Sequence, residues 1–323
     1  MTLEELKSSI NAVMEDVYSL QVYLLLKKGE KFELRLADID DANAAPELER
    51  MFVAYIRSSI LDNTDLQLCL LSTDDERTNA IYQYDYETYP EELGVFRNFD
   101  ITEATTNVAK FDFTQDDLTS LFGYVIYLGN MQNGIVMFKK HYPIALIKRD
   151  SFLLGAIKDK ERFEKVSGDD IIRMNGTVQV LGVAGDMYVL DVKMLERNLG
   201  FTELIQKAAG SAADAVDELG ILEDIEVLKD SIGEVSFARK LSKVQKSSPI
   251  FKLGISKEAI IEFTKTTPEL QGKFKYSEDG STIRLDTRKS KDAFIKLMND
   301  SFLRSELTRQ YYEASSKDQL ITS

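Results

Sequence analysis

One cysteine and one histidine are all that this sequence offers of the residue types on which most nucleophilic and zinc chemistry depends. A lone Cys69 excludes an intrachain disulfide and fits a reducing compartment. It lies inside Leu66-Gln67-Leu68-Cys69-Leu70-Leu71 and reads as a small buried hydrophobe. Any Ser-His or Cys-His relay would have to run through His141. Its setting, Lys139-Lys140-His141-Tyr142-Pro143, reads as an exposed loop. One histidine and one cysteine do not complete a common zinc site. There is no GxxxxGK[ST] phosphate loop, and Gly182-Val183-Ala184-Gly185 does not follow the dinucleotide fingerprint. No apolar run reaches the ~18 residues that would suggest a membrane span. The opening Met1-Thr2-Leu3-Glu4-Glu5-Leu6 reads as an acidic helix start rather than a signal peptide. Low-complexity tracts and solenoid repeats are absent. No metal or cofactor is expected from these residues.

What is present is an uneven charge. Residues 231–323 carry 17 Lys+Arg against 12 Asp+Glu, whereas residues 1–230 carry 23 against 42. Within the basic part, residues 236–252 hold Arg239, Lys240, Lys243, Lys246 and Lys252 and no acid. Such asymmetry points to a localised anionic partner, most often nucleic acid. The charge boundary between Gly220 and Gly233 suggests an acidic body, 1–230, and a basic domain, 231–323.

The periodicities predict an α+β protein with a mixed, mostly antiparallel sheet region in its N-terminal and central parts. A helix is expected over 2–15, opened by a Thr2/Glu5 capping box. A hairpin follows around Lys28-Gly29-Glu30, then a helix over 48–60 and strands near 66–71 and 80–84. Residues 122–128 and 134–139 form a second hairpin, with further short strands at 142–148, 152–157, 171–174, 178–183 and 187–190. Beyond Val192 the chain turns helical, with an apolar stripe over 204–219 closed by Gly220. Helices at 221–228 and 255–263, a basic helix ending at Pro249, a hairpin around 277–281 and a Ser290-capped helix complete the reading. That C-terminal succession suits a winged-helix variant as well as an ordinary α+β fragment.

On the basic helix, Arg239, Lys243 and Lys246 share one face at i, i+4 and i+7, with Lys240 beside them. Phe237, Leu241 and Val244 take the opposite, docking face. A second cluster, Arg284, Arg288, Lys289 and Lys291, surrounds a strand-to-helix junction whose free N–H groups favour phosphate. Pairing of these cations with acids of the chain or of a protein partner is the alternative. Tyr82, Tyr84 and Tyr86 share a strand face, suited to packing or to base stacking. Thr73-Asp74-Asp75-Glu76-Arg77 reads as a solvated turn, or as carboxylates for a magnesium-dependent nuclease. Glu223-Asp224-Ile225-Glu226-Val227-Leu228-Lys229 has helical spacing and does not fit a nuclease.

Several segments together resemble the KwaB family of the bacterial Kiwa anti-phage defence system. They are Asp74-Asp75-Glu76-Arg77 with Ile81-Tyr82-Gln83-Tyr84-Asp85, and Phe237-Ala238-Arg239-Lys240-Leu241 with Ser248-Pro249. The third is Leu297-Met298-Asn299-Asp300-Ser301-Phe302-Leu303-Arg304-Ser305-Glu306-Leu307-Thr308, with Tyr312 and Lys317-Asp318. Their order runs across almost the whole chain. The resemblance implies a cytoplasmic, homodimeric effector that binds double-stranded DNA. It implies recruitment to the inner face of the membrane by a membrane-embedded KwaA-like subunit, without direct insertion. It carries over no catalytic residue. The combined expectation is backbone-directed DNA binding without cleavage, through Arg239, Lys240, Lys243, Lys246, Lys252, Arg288, Lys289 and Lys291, with the acidic body left for dimerisation and partner docking. The rivals are a metal-dependent nuclease built on Asp74, Asp75 and Glu76, and an adaptor of the membrane partner that does not bind DNA.

Overall fold

A computed structural model describes residues 1–16, 18–40, 42–73, 78–147, 153–157, 162–166, 171–305 and 307–313. It packs as two units. The first comprises Met1–Leu68, Asn79–Tyr84 and Glu91–Met194; the second comprises Cys69–Thr78, Asp85–Pro90 and Leu195–Ser323. The units therefore divide earlier in the chain than the charge does. Residues 195–323 carry 20 Lys+Arg and 21 Asp+Glu, so the basic stretch shares its unit with an acidic segment, 203–230.

The first unit opens with α1 (Leu3–Glu15). Thr2 Oγ1 accepts from Glu5 N at 3.2 Å and Glu5 Oε2 accepts from Thr2 N at 2.7 Å, which is the expected capping box. Leu6, Ile10 and Val13, at helical spacing, are its buried face. Then come β1 (Ser19–Lys28), β2 (Lys31–Leu36), α2 (Ala44–Ile56), β3 (Gln67–Leu70) and β4 (Ala80–Gln83). After α3 (Gly94–Arg97) and α4 (Ile101–Asn107), the hairpin of β5 (Leu121–Gly129) and β6 (Gly134–Lys140) enters the sheet centre. Three short pairs of strands continue from there. They are β7 (Leu146–Ile147) with β10 (Ile171–Ile172), β8 (Leu153–Ile157) with β9 (Arg162–Val166), and β11 (Val180–Val183) with β12 (Asp186–Val189).

The main sheet has eight strands in the order β2-β1-β5-β6-β11-β12-β4-β3. The registers described within it are antiparallel. Five successive residues of β1, 22–26, are buried, because both faces of the sheet centre are covered. Side chains of α1 and α2 pack one face together with Ile126, Met137 and Leu181. On other contacts, Phe96 meets Phe138 with ring centroids 6.1 Å apart, and Phe99 meets Tyr23 at 5.2 Å. The β5–β6 turn needs glycine at 134, since a Cβ there would lie 2.2 Å from the Tyr127 ring.

The second unit starts within α5 (Val192–Asn198) and continues through α6 (Phe201–Glu218). Ile205, Ala209, Ala212, Ala213 and Val216 form the buried centre of α6, and Gly220 beyond its end takes φ 58°. Next are α7 (Glu226–Lys229), α8 (Val235–Ser247), α9 (Pro249–Lys252) and α10 (Lys257–Thr266). The hairpin of β13 (Lys275–Tyr276) and β14 (Ile283–Arg284), α11 (Arg288–Met298), and the pair β15 (Phe302–Arg304) and β16 (Tyr311–Glu313) follow. The helix expected over 221–228 shrinks to α7, because Ile221 O accepts from Ile283 N at 2.9 Å and Glu223 N donates to Ile283 O at 3.0 Å. Those bonds hold 221–223 extended beside β14.

Candidate nucleic-acid interface

The basic helix forms where its pattern placed it. Phe237, Ala238, Leu241 and Val244 of α8 are buried, and α8 packs on α6, whose alanines permit close approach. The helix stops at Ser248-Pro249, since proline disfavours helical backbone in the residue before it. Ser248, fully buried, caps α9 by accepting from Ile250 N at 3.2 Å, and its hydroxyl donates to Met298 O at the end of α11.

The predicted cations meet different fates. Arg239 turns inward, and its Nη2 pairs with Glu196 Oε1 on α5, both side chains being largely shielded. Lys240 is exposed, with its Nζ 3.8 Å from Asp292 of α11. Lys243 is half-buried, and the side chain of Lys246 lies outside those described. Lys252 is exposed at the end of α9. On α11, Arg288 Nη2 is 3.2 Å from Glu234 and Lys291 Nζ donates to Ser231 at 2.8 Å, while Lys289 is exposed. Arg284 forms a two-pronged pair with Glu223 at 2.7 and 2.8 Å.

Two basic clusters distant in sequence thus adjoin one another. Lys240–Asp292 and Arg288–Glu234 tie α8 and the segment before it to the first turns of α11. The α11 start is capped by Thr287, not by Ser290: Thr287 Oγ1 accepts from Ser290 N at 3.0 Å, and Ser290 Oγ accepts from Thr287 N at 3.1 Å. Ser290 is the reciprocal third residue of the box, which spacing alone did not separate from the cap. One N–H of the junction is therefore already spoken for by Thr287.

Other candidates also move. Asp74, Asp75, Glu76 and Arg77 lie outside the described residues; among the described residues, no group of three His, Cys, Asp or Glu is placed to hold a metal ion. Tyr82, Tyr84 and Tyr86 are buried, which removes them from base stacking; Tyr86 packs edge-on to Phe201 at 5.3 Å. Cys69 is half-buried. His141 is buried rather than exposed, with Nδ1 2.9 Å from the Tyr124 hydroxyl. Burial, and second the Lys140 charge, hold its pKa below the ordinary histidine value. The two lysines before it matter as well: burial brings both Lys139 and Lys140 down to about 8. Extending the β5–β6 hairpin by its own register would have found this cluster.

Among the described residues, no helix is long and apolar enough to cross a membrane. A family model described as "Kiwa protein KwaB-like" matches residues 118–308. A curated relative, Kiwa protein KwaB of Escherichia coli O55:H7 (strain RM12579 / EPEC), is 29% identical over 324 residues, covering 99% of this chain and 99% of that protein. No solved structure matches significantly.

Proposed function

The chain belongs to the Kiwa KwaB-like family, and we propose that it serves anti-phage defence by holding double-stranded DNA through the surface that α8 shares with the start of α11. Its membership makes it a component of the Kiwa system. In this reading Lys240, Lys252, Arg288 and Lys289 contact backbone phosphates, with Lys243, Lys246 and Lys291 extending the track. A homodimer doubles that track and offsets the net charge of −14 through avidity. A membrane-embedded KwaA-like subunit brings the complex to the inner face of the membrane. No chemical step is assigned.

The observation that carries the reading is that two basic clusters far apart in sequence adjoin on α8 and α11. Phosphate contacts of this kind are blind to sequence and steep in salt. A second reading has its own support: Arg239, Lys240, Arg284 and Arg288 each face a carboxylate of the same unit. Those pairs suit an adaptor whose cations stabilise the fold. Fluorescence anisotropy of labelled duplex DNA across a salt series separates the two. The DNA reading expects salt-steep binding with the duplex left intact; no binding at low salt leaves the adaptor.

A further inference from the structure

Lys27 and Lys140, from β1 and β6 of the first unit, converge on the Phe122 ring. The Lys140 ammonium is 3.4 Å from its centroid and that of Lys27 is 6.0 Å. Phe32, paired with Lys27 across β1 and β2, meets Phe122 edge-on at 5.0 Å, and Lys27 also lies 5.4 Å from the Phe32 ring. Lys140 is half-buried and Lys27 exposed. Lys140 donates to Phe122 O at 2.9 Å, and among the described residues neither lysine makes an ion pair with a carboxylate.

Two cations held near one apolar ring repel one another, and burial adds to the cost of the Lys140 charge. The pKa of Lys140, lowered to about 8, reflects burial first; the Glu92 charge opposes that, and the Lys27 charge adds to it. A ring face stabilises one ammonium modestly and does not neutralise two. A dianion would neutralise both, and the exposed, flexible stem of Lys27 can swing to share it.

We infer that Lys27 and Lys140, backed by Phe32 and Phe122, form a binding site for a small phosphate-bearing dianion. The lysines hold the phosphate oxygens; the rings exclude water from its far side. The site lies in the first unit and is independent of the α8–α11 reading.

The test is calorimetric titration of the full chain at pH 8 with adenosine monophosphate and, separately, with inorganic phosphate. Each is run in two buffers of different ionisation enthalpy. The expected result is saturable binding with proton uptake, because an anion raises the Lys140 pKa while Glu92, Lys27 and His141 remain as its charged or titratable neighbours. Lys140→Met weakens binding by about tenfold or more, Lys140→Arg restores it, and Lys207→Glu, at an exposed position of α6 in the second unit, leaves it unchanged. Tighter binding of the nucleotide assigns a nucleotide; equal affinity assigns phosphate alone. Absence of saturable binding of either probe, or unchanged affinity in a Lys140→Met protein of normal melting temperature, overturns the site.

Discussion

Arg239 on α8 and Glu196 on α5 form an ion pair with side-chain exposures of only 18% and 14%. A cation that the helical pattern assigned to a phosphate-facing ridge instead fastens α8 to its neighbour. Removing one member of a shielded pair strands the other charge. Arg239→Gln should therefore cost about 1–3 kcal/mol in urea unfolding, less than the 3–5 typical of full burial. The same variant should leave the salt slope of DNA binding untouched. A slope lowered by about one unit at unchanged stability would instead put Arg239 on the DNA.

Lys240 and Lys289 test the surface itself. Replacing both with glutamate should lower the slope of log affinity against log salt by about 1.8, from ~0.9 per lost contact. The loss should be equal for unrelated duplex sequences. Sequence-dependent loss would contradict a backbone-directed surface.

In the DNA-binding reading Asp292 competes with phosphate for Lys240, their atoms lying 3.8 Å apart with Lys240 exposed and Asp292 half-buried. Surface pairs are worth only ~0.2–1 kcal/mol, so Asp292→Asn should strengthen DNA binding several-fold with little change in melting temperature. Weaker binding in that variant would mean that Asp292 orders Lys240 rather than restraining it.

Much of the fold was readable because burial repeats at fixed periods. The α1 cap, the β1–β2 and β5–β6 hairpins and the docking face of α8 all follow from spacing within one element. What escaped depends on partners remote in sequence. Residues 221–223 have helical periodicity yet are held by Ile283. The strand expected over 142–148 gives way to a single turn at Pro143–Ala145 followed by β7, because Pro143 imposes its own backbone angle. The ridge was legible as a helix face, but the identity of Arg239's partner was not, since Glu196 lies 43 residues away. His141 looked exposed beside two lysines and a proline; the sheet register carries it inward.

Tyr124 and His141 give an acid-side prediction. Burial keeps the imidazole pKa below its unfolded value of about 6.5. The unfolded chain then binds the extra proton first, so this contribution to stability is present above pH ~6.5 and is lost as pH falls through the folded value. Tyr124→Phe should cost about 1–3 kcal/mol by leaving His141 Nδ1 without its 2.9 Å partner. His141→Gln should flatten the fall in stability between pH 7 and 5. An unaltered pH profile in that variant would remove His141 as its source.

Lys139 gives the base-side counterpart, and the sign is opposite to that of an ordinary paired lysine. Its ammonium donates to Asn175 Oδ1 at 2.5 Å and to Thr177 O at 2.7 Å, with Thr177 Oγ1 at 3.3 Å. These are neutral oxygens, so hydrogen bonding is satisfied while the charge is not. Burial accordingly takes the pKa to about 8. The unfolded lysine titrates near 10.4. Between those values the unfolded chain holds more protons, so stability rises with pH through that window; below it, the full cost of burying the cation remains. Lys140 adds a similar rise and must be left in place as the reference. Lys139→Met should remove one of the two contributions, giving a smaller gain in melting temperature between pH 8 and 10 than the unaltered chain shows. It should also loosen the 175–177 turn, seen as faster amide exchange there. A variant with an undiminished alkaline rise would show that Lys139 enters the folded state with its pKa unchanged.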